Sequence, residues 1–158
     1  LGKAETPADI LPRHLGHEER SVRLTEQLCA RLRVPNDCRD LALIMARYHG
    51  NVHRAGDLKA STIVTLFEKT DALRRPERFQ QLLDTCLCDY TGRLGWENKA
   101  YDSPQRLLTA LAAVNAVPAG EIAATCTDKG KIPERIHAAR VRAVKQALNE
   151  PGEQPEQQ

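Results

Sequence analysis

Apolar positions recur along this chain at helical rather than strand spacing. In "HEERSVRLTEQLCARLRV" Val22, Leu24, Leu28 and Leu32 fall at mostly helical intervals, and Pro35 ends the element. "NDCRDLALIMARYH" follows with Cys38, Leu41, Met45 and Tyr48 on one stripe and a cap at Asn36 or Asp37. Gly50-Asn51 is expected to break that helix. "KASTIVTLFEKTDALR" turns Ile63, Leu66 and Phe67 inward. After Pro76 the cleanest stripe places Phe79, Leu82, Leu83, Cys86 and Tyr90 on one face, closed by Gly92. "GRLGWENKAYD" reads as a loop with two glycines and two aromatics. Ser103-Pro104 opens a fifth helix through Leu107, Leu108, Leu111 and Val114, and Pro118 and Gly120 flank a short element around Ile122. Pro133 starts a last helix with Ile132, Ile136, Ala139, Ala143 and Ala147 on one side. No alternating pattern competes, so the expected fold is all-α. "EPGEQPEQQ" is polar and Pro-containing and is expected to be disordered.

Composition narrows this picture. A length of 158 residues suits one domain, or a domain with a small appendage. Aromatic residues are scarce, so the core must be built from Leu, Ile, Val and Ala, which suits helix packing. A net charge of +2 is too small to announce a polyanion partner; any nucleic-acid surface must come from local clustering. The cysteines are Cys29, Cys38, Cys86, Cys88 and Cys126, an odd number without CxxC. Cys86 and Cys88 point to opposite sides of a helix and cannot share a tetrahedral metal. Buried, reduced thiols of a cytoplasmic protein are the expectation. No run of about 18 apolar residues is present, so no membrane span is expected.

Candidate chemistry gathers around histidine. His14 and His17 precede the first helix, His49 and His53 are expected to straddle the end of the second, and His137 lies apart. Imidazoles at helix ends with a carboxylate from a third helix make a metal site plausible, although a terminal His can equally be a cap or dipole partner. "HGNVH" has the His spacing of a zinc-protease helix, but Gly50 stands where that motif needs its catalytic Glu, which excludes it. Asp71, one turn beyond Phe67, must be paired or metal-bound if it approaches the buried face; Arg74, Arg75 and Arg78 are the alternative partners. Lys129 to Lys145 carries Lys129, Lys131, Arg135, Arg140, Arg142 and Lys145 against one acid, Glu134. Arg135 and Arg142 share a face, and the lysines around Gly130 offer charge and free N–H groups to a phosphate. The bland alternative is a solvated face.

Three stretches, "LPRHLGHEERSVRL", "LRVPNDCRDLALIMARYHGNVHRA" and "FEKTDALRRPERFQQLLDTCLCDYTGR", resemble the HD domain of bacterial CCA-adding enzymes, the multifunctional tRNA nucleotidyltransferases. The later "DKGKIPERIHAARVRAV" is similar to that family's tail. The resemblance implies an HD-domain-like helical bundle with an appended small helical tail. Its parts would be an N-terminally incomplete HD phosphohydrolase domain over 1–93, a tRNA-contacting tail over 94–149 and a disordered end over 150–158. In such enzymes "LGK" follows a His-Asp pair, so the chain is expected to begin just after that dyad and to lack the nucleotidyltransferase head. Carried over by position, His17, His49 and Asp71 match catalytic, metal-binding residues. Lys3, His14 and His53 match supporting or substrate-side positions. Lys129, Lys131, Arg135, Arg142 and Lys145 would contact tRNA.

For the parent, the resemblance implies building and repair of the tRNA 3′-CCA end from CTP and ATP. It also implies metal-dependent hydrolysis of 2′,3′-cyclic phosphates, 2′-nucleotides and phosphomonoesters. Nickel or magnesium would serve the HD site and magnesium the head. Little or no hydrolysis is expected from this chain alone. The alternatives are a stand-alone HD phosphohydrolase or a non-catalytic helical interaction module.

Overall fold

The computed structural model describes residues 2–149, so the expectation of disorder over 150–158 lies outside the described residues. The main elements are α1 (His17–Leu32), α2 (Asn36–His53), α3 (Ala60–Lys69), α4 (Pro76–Thr91), α5 (Ser103–Asn115), α6 (Ala119–Ala124) and α7 (Ile132–Asn149). Short 3-10 turns occupy Ala55–Asp57 and Lys129–Lys131. Among the described residues there is no strand, and the fold is all-α.

The chain forms two compact units that interleave in sequence. The first holds the residues up to Arg54 together with Arg75–Tyr101; the second holds Ala55–Arg74 and the residues from Asp102 onward. The resemblance, by contrast, draws a single boundary at residue 93.

In the first unit α2 packs against both α1 and α4. Of the expected α4 stripe, Phe79, Leu82, Leu83 and Cys86 are buried, whereas Tyr90 is partly exposed. On α1 the buried residues are Val22 and Cys29, seven positions and about two turns apart. That line runs beside Leu28 and Leu32, which are 36% and 60% exposed and not the inward residues their spacing suggests. A second correction concerns α2, which does not break at Gly50-Asn51 but continues to His53. Glycine inside a helix costs about 1 kcal/mol, a penalty that packing against α1 and α4 can absorb. The position is also crowded, since a Cβ on Gly50 would stand 3.2 Å from Glu18 Oε1.

The thiols divide differently from expectation. Cys29 and Cys86 are buried, but Cys38 and Cys88 are exposed and Cys126 is intermediate; all five are free. Cys38 sits in the first turn of α2 and lines an open cavity, which leaves it exposed. Burial, with the Asp89 charge adding to it, pushes the Cys86 thiol up to about 12, so it is an inert apolar filler.

In the second unit α7 packs against α3, α5 and α6. Phe67, Ile63, Leu107 and Val114 are almost wholly enclosed, and α7 contributes Val144 to that core. The alanine-rich stripe expected on α7 overlooks Val144, although it lies one turn from Arg140 and one position from Ala143. We expect Phe67→Ala to cost about 3–5 kcal/mol, and Leu32→Gln to change stability by no more than about 0.5 kcal/mol. Urea unfolding of the two variants measures both.

Candidate active site: a histidine-lined cavity

The start of α1, one side of α2 along most of its length and the end of α4 line an open cavity of about 1180 Å³ within the first unit. Its floor is apolar, with Leu41 and Met45, and its polar wall includes Lys3, His14, His17, His49, His53, Asp89 and Arg93. Residues before α1 are folded back onto that helix. The Gly2 N–H donates to Ser21 Oγ at 3.0 Å and the Gly2 carbonyl accepts from Arg20 Nε at 3.1 Å. A Cβ on Gly2 would collide with the His17 carbonyl oxygen, so only glycine permits this approach. The same fold-back ties His14 Nδ1 to Thr6 Oγ1 at 2.7 Å.

Helical continuity through Gly50 sets His49 and His53 four residues apart on one face. The His17 and His49 rings meet edge to face with centroids 5.4 Å apart, and His49 and His53 do so at 6.0 Å. His17 Nδ1 lies 2.8 Å from the His14 carbonyl, and His49 Nδ1 lies 3.0 Å from the Met45 carbonyl. A carbonyl only accepts, so each Nδ1 carries the proton and each neutral ring keeps its lone pair on Nε2.

His53 is held differently. Its Nε2 lies 2.9 Å from Asp89 Oδ2, which only accepts, so Nε2 is the donor. The lone pair of the neutral ring is then on Nδ1, where the Tyr101 hydroxyl donates at 2.9 Å. Both nitrogens of His53 are therefore engaged. Burial holds its pKa below the ordinary imidazole value against the opposing pull of Asp89, with Arg93 and His49 adding to the lowering. Burial would raise the Asp89 carboxyl, but hydrogen bonds from Arg93 (2.9 Å) and His53 outweigh it and hold it low. Burial raises the Tyr101 phenol, so it remains a donor.

Asp71 belongs to the second unit and does not line this cavity. It stands in the turn after α3 with φ 56, and Arg74 grips its carboxylate through two bonds of 2.7 and 2.8 Å. Arg78 pairs instead with Asp37 at 3.2 Å. Asp89, Arg93 and Tyr101 join the histidines at this site although no motif in the sequence marks them. The signal for Asp89 exists: it lies three and seven positions after Cys86 and Leu82, a carboxylate on the continuation of a buried stripe.

On the second unit Lys129, Lys131, Arg135, Arg142 and Lys145 are all exposed along the Lys129–Lys131 turn and α7. Arg140 does not join them. It reaches toward Glu68 at 3.8 Å, beside the Glu68–His137 contact of 3.0 Å, and its buried Nε has no hydrogen-bond partner. The expected free N–H at Gly130 is also not available, because Asp128 Oδ1 accepts it at 3.0 Å. An Asp two residues before a glycine readily forms such a local turn.

Fold and site together define a class, an all-helical chain in which four of the five histidines line one cavity. The particular relatives are multifunctional CCA proteins. That of Dechloromonas aromatica is 84% identical over 158 residues, all of this chain and 38% of that protein. Those of Cupriavidus taiwanensis and Burkholderia cenocepacia are 55% and 56% identical over 97% and 94% of the chain, and 37% and 36% of the relatives. The chain is thus homologous along its whole length to one segment of multifunctional CCA proteins. No family model matches it, and no solved structure gives a significant match. No helix among the described residues is long and apolar enough to cross a membrane.

The His53 arrangement has a pH signature. Its folded pKa is depressed, so the unfolded chain binds the proton more readily. The stability supplied by neutral His53 is present above the unfolded value of about 6.5 and is lost as pH falls through the folded value. Asp89 acts in the same direction at lower pH. Urea midpoints of the wild type should fall between about pH 7.5 and 5.5, and His53→Gln should flatten that fall.

Proposed function

We propose that this chain is the phosphohydrolase and RNA-holding part of a multifunctional CCA-adding tRNA nucleotidyltransferase. The parent would build the tRNA 3′-CCA end from CTP and ATP in the cytoplasm. Within it, this part would hydrolyse 2′,3′-cyclic phosphates and phosphomonoesters of nucleotides at a metal-dependent HD-type site. Homology along the whole chain supports the parentage. The observation that carries the phosphohydrolase reading is the His17–His49 pair, 5.4 Å between centroids, with both Nδ1 atoms tied to carbonyls and both Nε2 lone pairs available.

That pairing fits a divalent ion, because a backbone-tethered Nδ1–H fixes the tautomer and orientation that a ligating Nε2 requires. Imidazole donors suit nickel better than magnesium, which prefers oxygen. When bound, the ion would lower the pKa of a water and offset charge on the phosphoryl group. Among the described residues no group of three or more His, Cys, Asp and Glu is placed to hold an ion, so a two-imidazole anchor predicts weak binding. Asp71, the third member by resemblance, is bound to Arg74 through both carboxylate oxygens. Lys3 and Arg93 on the cavity wall supply positive charge for the substrate phosphate. His53, with both nitrogens committed, acts by bracing the wall.

The exposed cations of α7 and its approach would hold tRNA through phosphates rather than bases. Residues 129, 131, 135, 142 and 145 supply five charges. If all five contact phosphates, log K should fall against log salt with a slope on the order of −4. Arg135→Gln with Arg142→Gln should reduce that slope by about 1.5–2, and a response flat in salt rules the phosphate model out.

For the metal, calorimetric titration with nickel should show weak binding that is lost in His17→Ala and in His49→Ala. His14→Ala, which keeps the carbonyl that orients His17, should retain it. Binding undiminished in the His17/His49 double variant would sink the two-imidazole anchor. Turnover of 2′,3′-cyclic AMP by this chain with nickel should be slight or absent.

A further inference from the structure

The loop after α4, "GRLGWENKAYD", lends Arg93 and Tyr101 to the cavity, but its centre around Trp96 is not used by the phosphohydrolase reading and is built as a platform. Trp96 leans edge-on against Tyr90 with centroids 4.8 Å apart, and Tyr90 stacks on Tyr101 at 4.3 Å and 17°. The Tyr90 hydroxyl donates to the Ala100 carbonyl at 3.1 Å, and the Trp96 and Lys99 N–H groups bond to Arg93 and Trp96 carbonyls at 2.9 and 3.1 Å. Gly95, at φ 78, makes the turn that brings Trp96 back toward α4. Two cations lie over the indole, Arg93 Cζ at 5.3 Å and Lys99 Nζ at 4.2 Å from the centroid. Beside them Leu94 is 97% exposed.

Arg93 joins this platform to the cavity, because the same side chain lies over Trp96, donates to Asp89 and lines the histidine wall. An aromatic surface flanked by cations is how proteins hold an unpaired base together with its phosphate. We propose that Trp96 is the base-stacking half of a nucleotide site whose phosphate half is the histidine cavity. Lys99 is the cap that an incoming base displaces, and its ammonium then meets the ribose-phosphate. This inference rests on the phosphoester reading of the cavity, and its test separates the two.

Trp96 is the only tryptophan in the chain, so its fluorescence reports the event directly. The full chain in magnesium buffer is titrated with adenosine, adenosine 3′-monophosphate, ribose 5-phosphate and inorganic phosphate, with calorimetry in parallel. Adenosine 3′-monophosphate should quench the indole and bind on the order of tenfold to a hundredfold more tightly than inorganic phosphate. Trp96→Ala should remove that advantage and Trp96→Phe should keep most of it. Lys99→Ala, at an exposed position that leaves the fold intact, should weaken the nucleotide several-fold. Equal affinity for nucleotide and phosphate, or a Trp96→Ala chain that binds the nucleotide as the wild type does, overturns the proposal. Quenching by adenosine with no binding of phosphate would instead sink the phosphoester reading and leave the Trp96 platform standing.

Discussion

The passage of α2 through Gly50 is the constraint on which the candidate site depends. A helix that stopped at His49 would leave His53 in a connection, free to point anywhere. Because the helix continues, His49 and His53 lie one turn apart, and the Asp89 carboxylate on α4 and the Tyr101 hydroxyl close on His53 from different elements. Glu18 of α1 lies where a side chain at position 50 would project. Glycine there sits inside a continuous helix rather than acting as a stop signal, and a larger residue would require the Glu18 side chain to shift by a few tenths of an ångström. The same approach sets the His17 ring against His49.

The four first-unit histidines divide by hydrogen bonding more than by position. His17 and His49 each spend Nδ1 on a carbonyl and keep Nε2. His53 spends both nitrogens, on a carboxylate and a phenol, and burial keeps it neutral. A neutral, doubly bonded imidazole is a poor ligand and a poor acid, but a good strut. The ring nitrogens left open to a ligand therefore belong to the first pair.

Periodicity made much of this fold legible. Phe79, Leu82, Leu83 and Cys86 lie on an unambiguous stripe, as do Ile63, Leu66 and Phe67, and both stripes are buried. Leu28 and Leu32 lie exposed because spacing alone cannot say which edge of a helix its neighbours cover, and on α1 the covered edge is that of Val22 and Cys29. Asp89 escaped notice for the opposite reason. It reads as one acid among several on a polar flank, and only its register with Leu82 and Cys86 betrays that it reaches toward α2. Asp71 drew attention by resemblance and position, but its φ of 56 places it in a turn, where a neighbouring arginine satisfies it locally.

Charge on α7 is sorted by the same logic of local satisfaction. Arg140 lies on the side of α7 that faces Glu68, so it is drawn into a partly buried cluster with His137. Arg135 and Arg142 are five positions before and two after Arg140, which turns them through roughly 140° and 200° about the helix axis and leaves them in solvent. One acid on α3 therefore decides which cations on α7 are structural and which remain exposed to a polyanion. A nominal cluster of six becomes a set of five by packing. The weak net charge of +2 is no obstacle to such binding, since the exposed five are concentrated on the Lys129–Lys131 turn and α7, where Asp128 and Glu134 are the acids between residues 128 and 145.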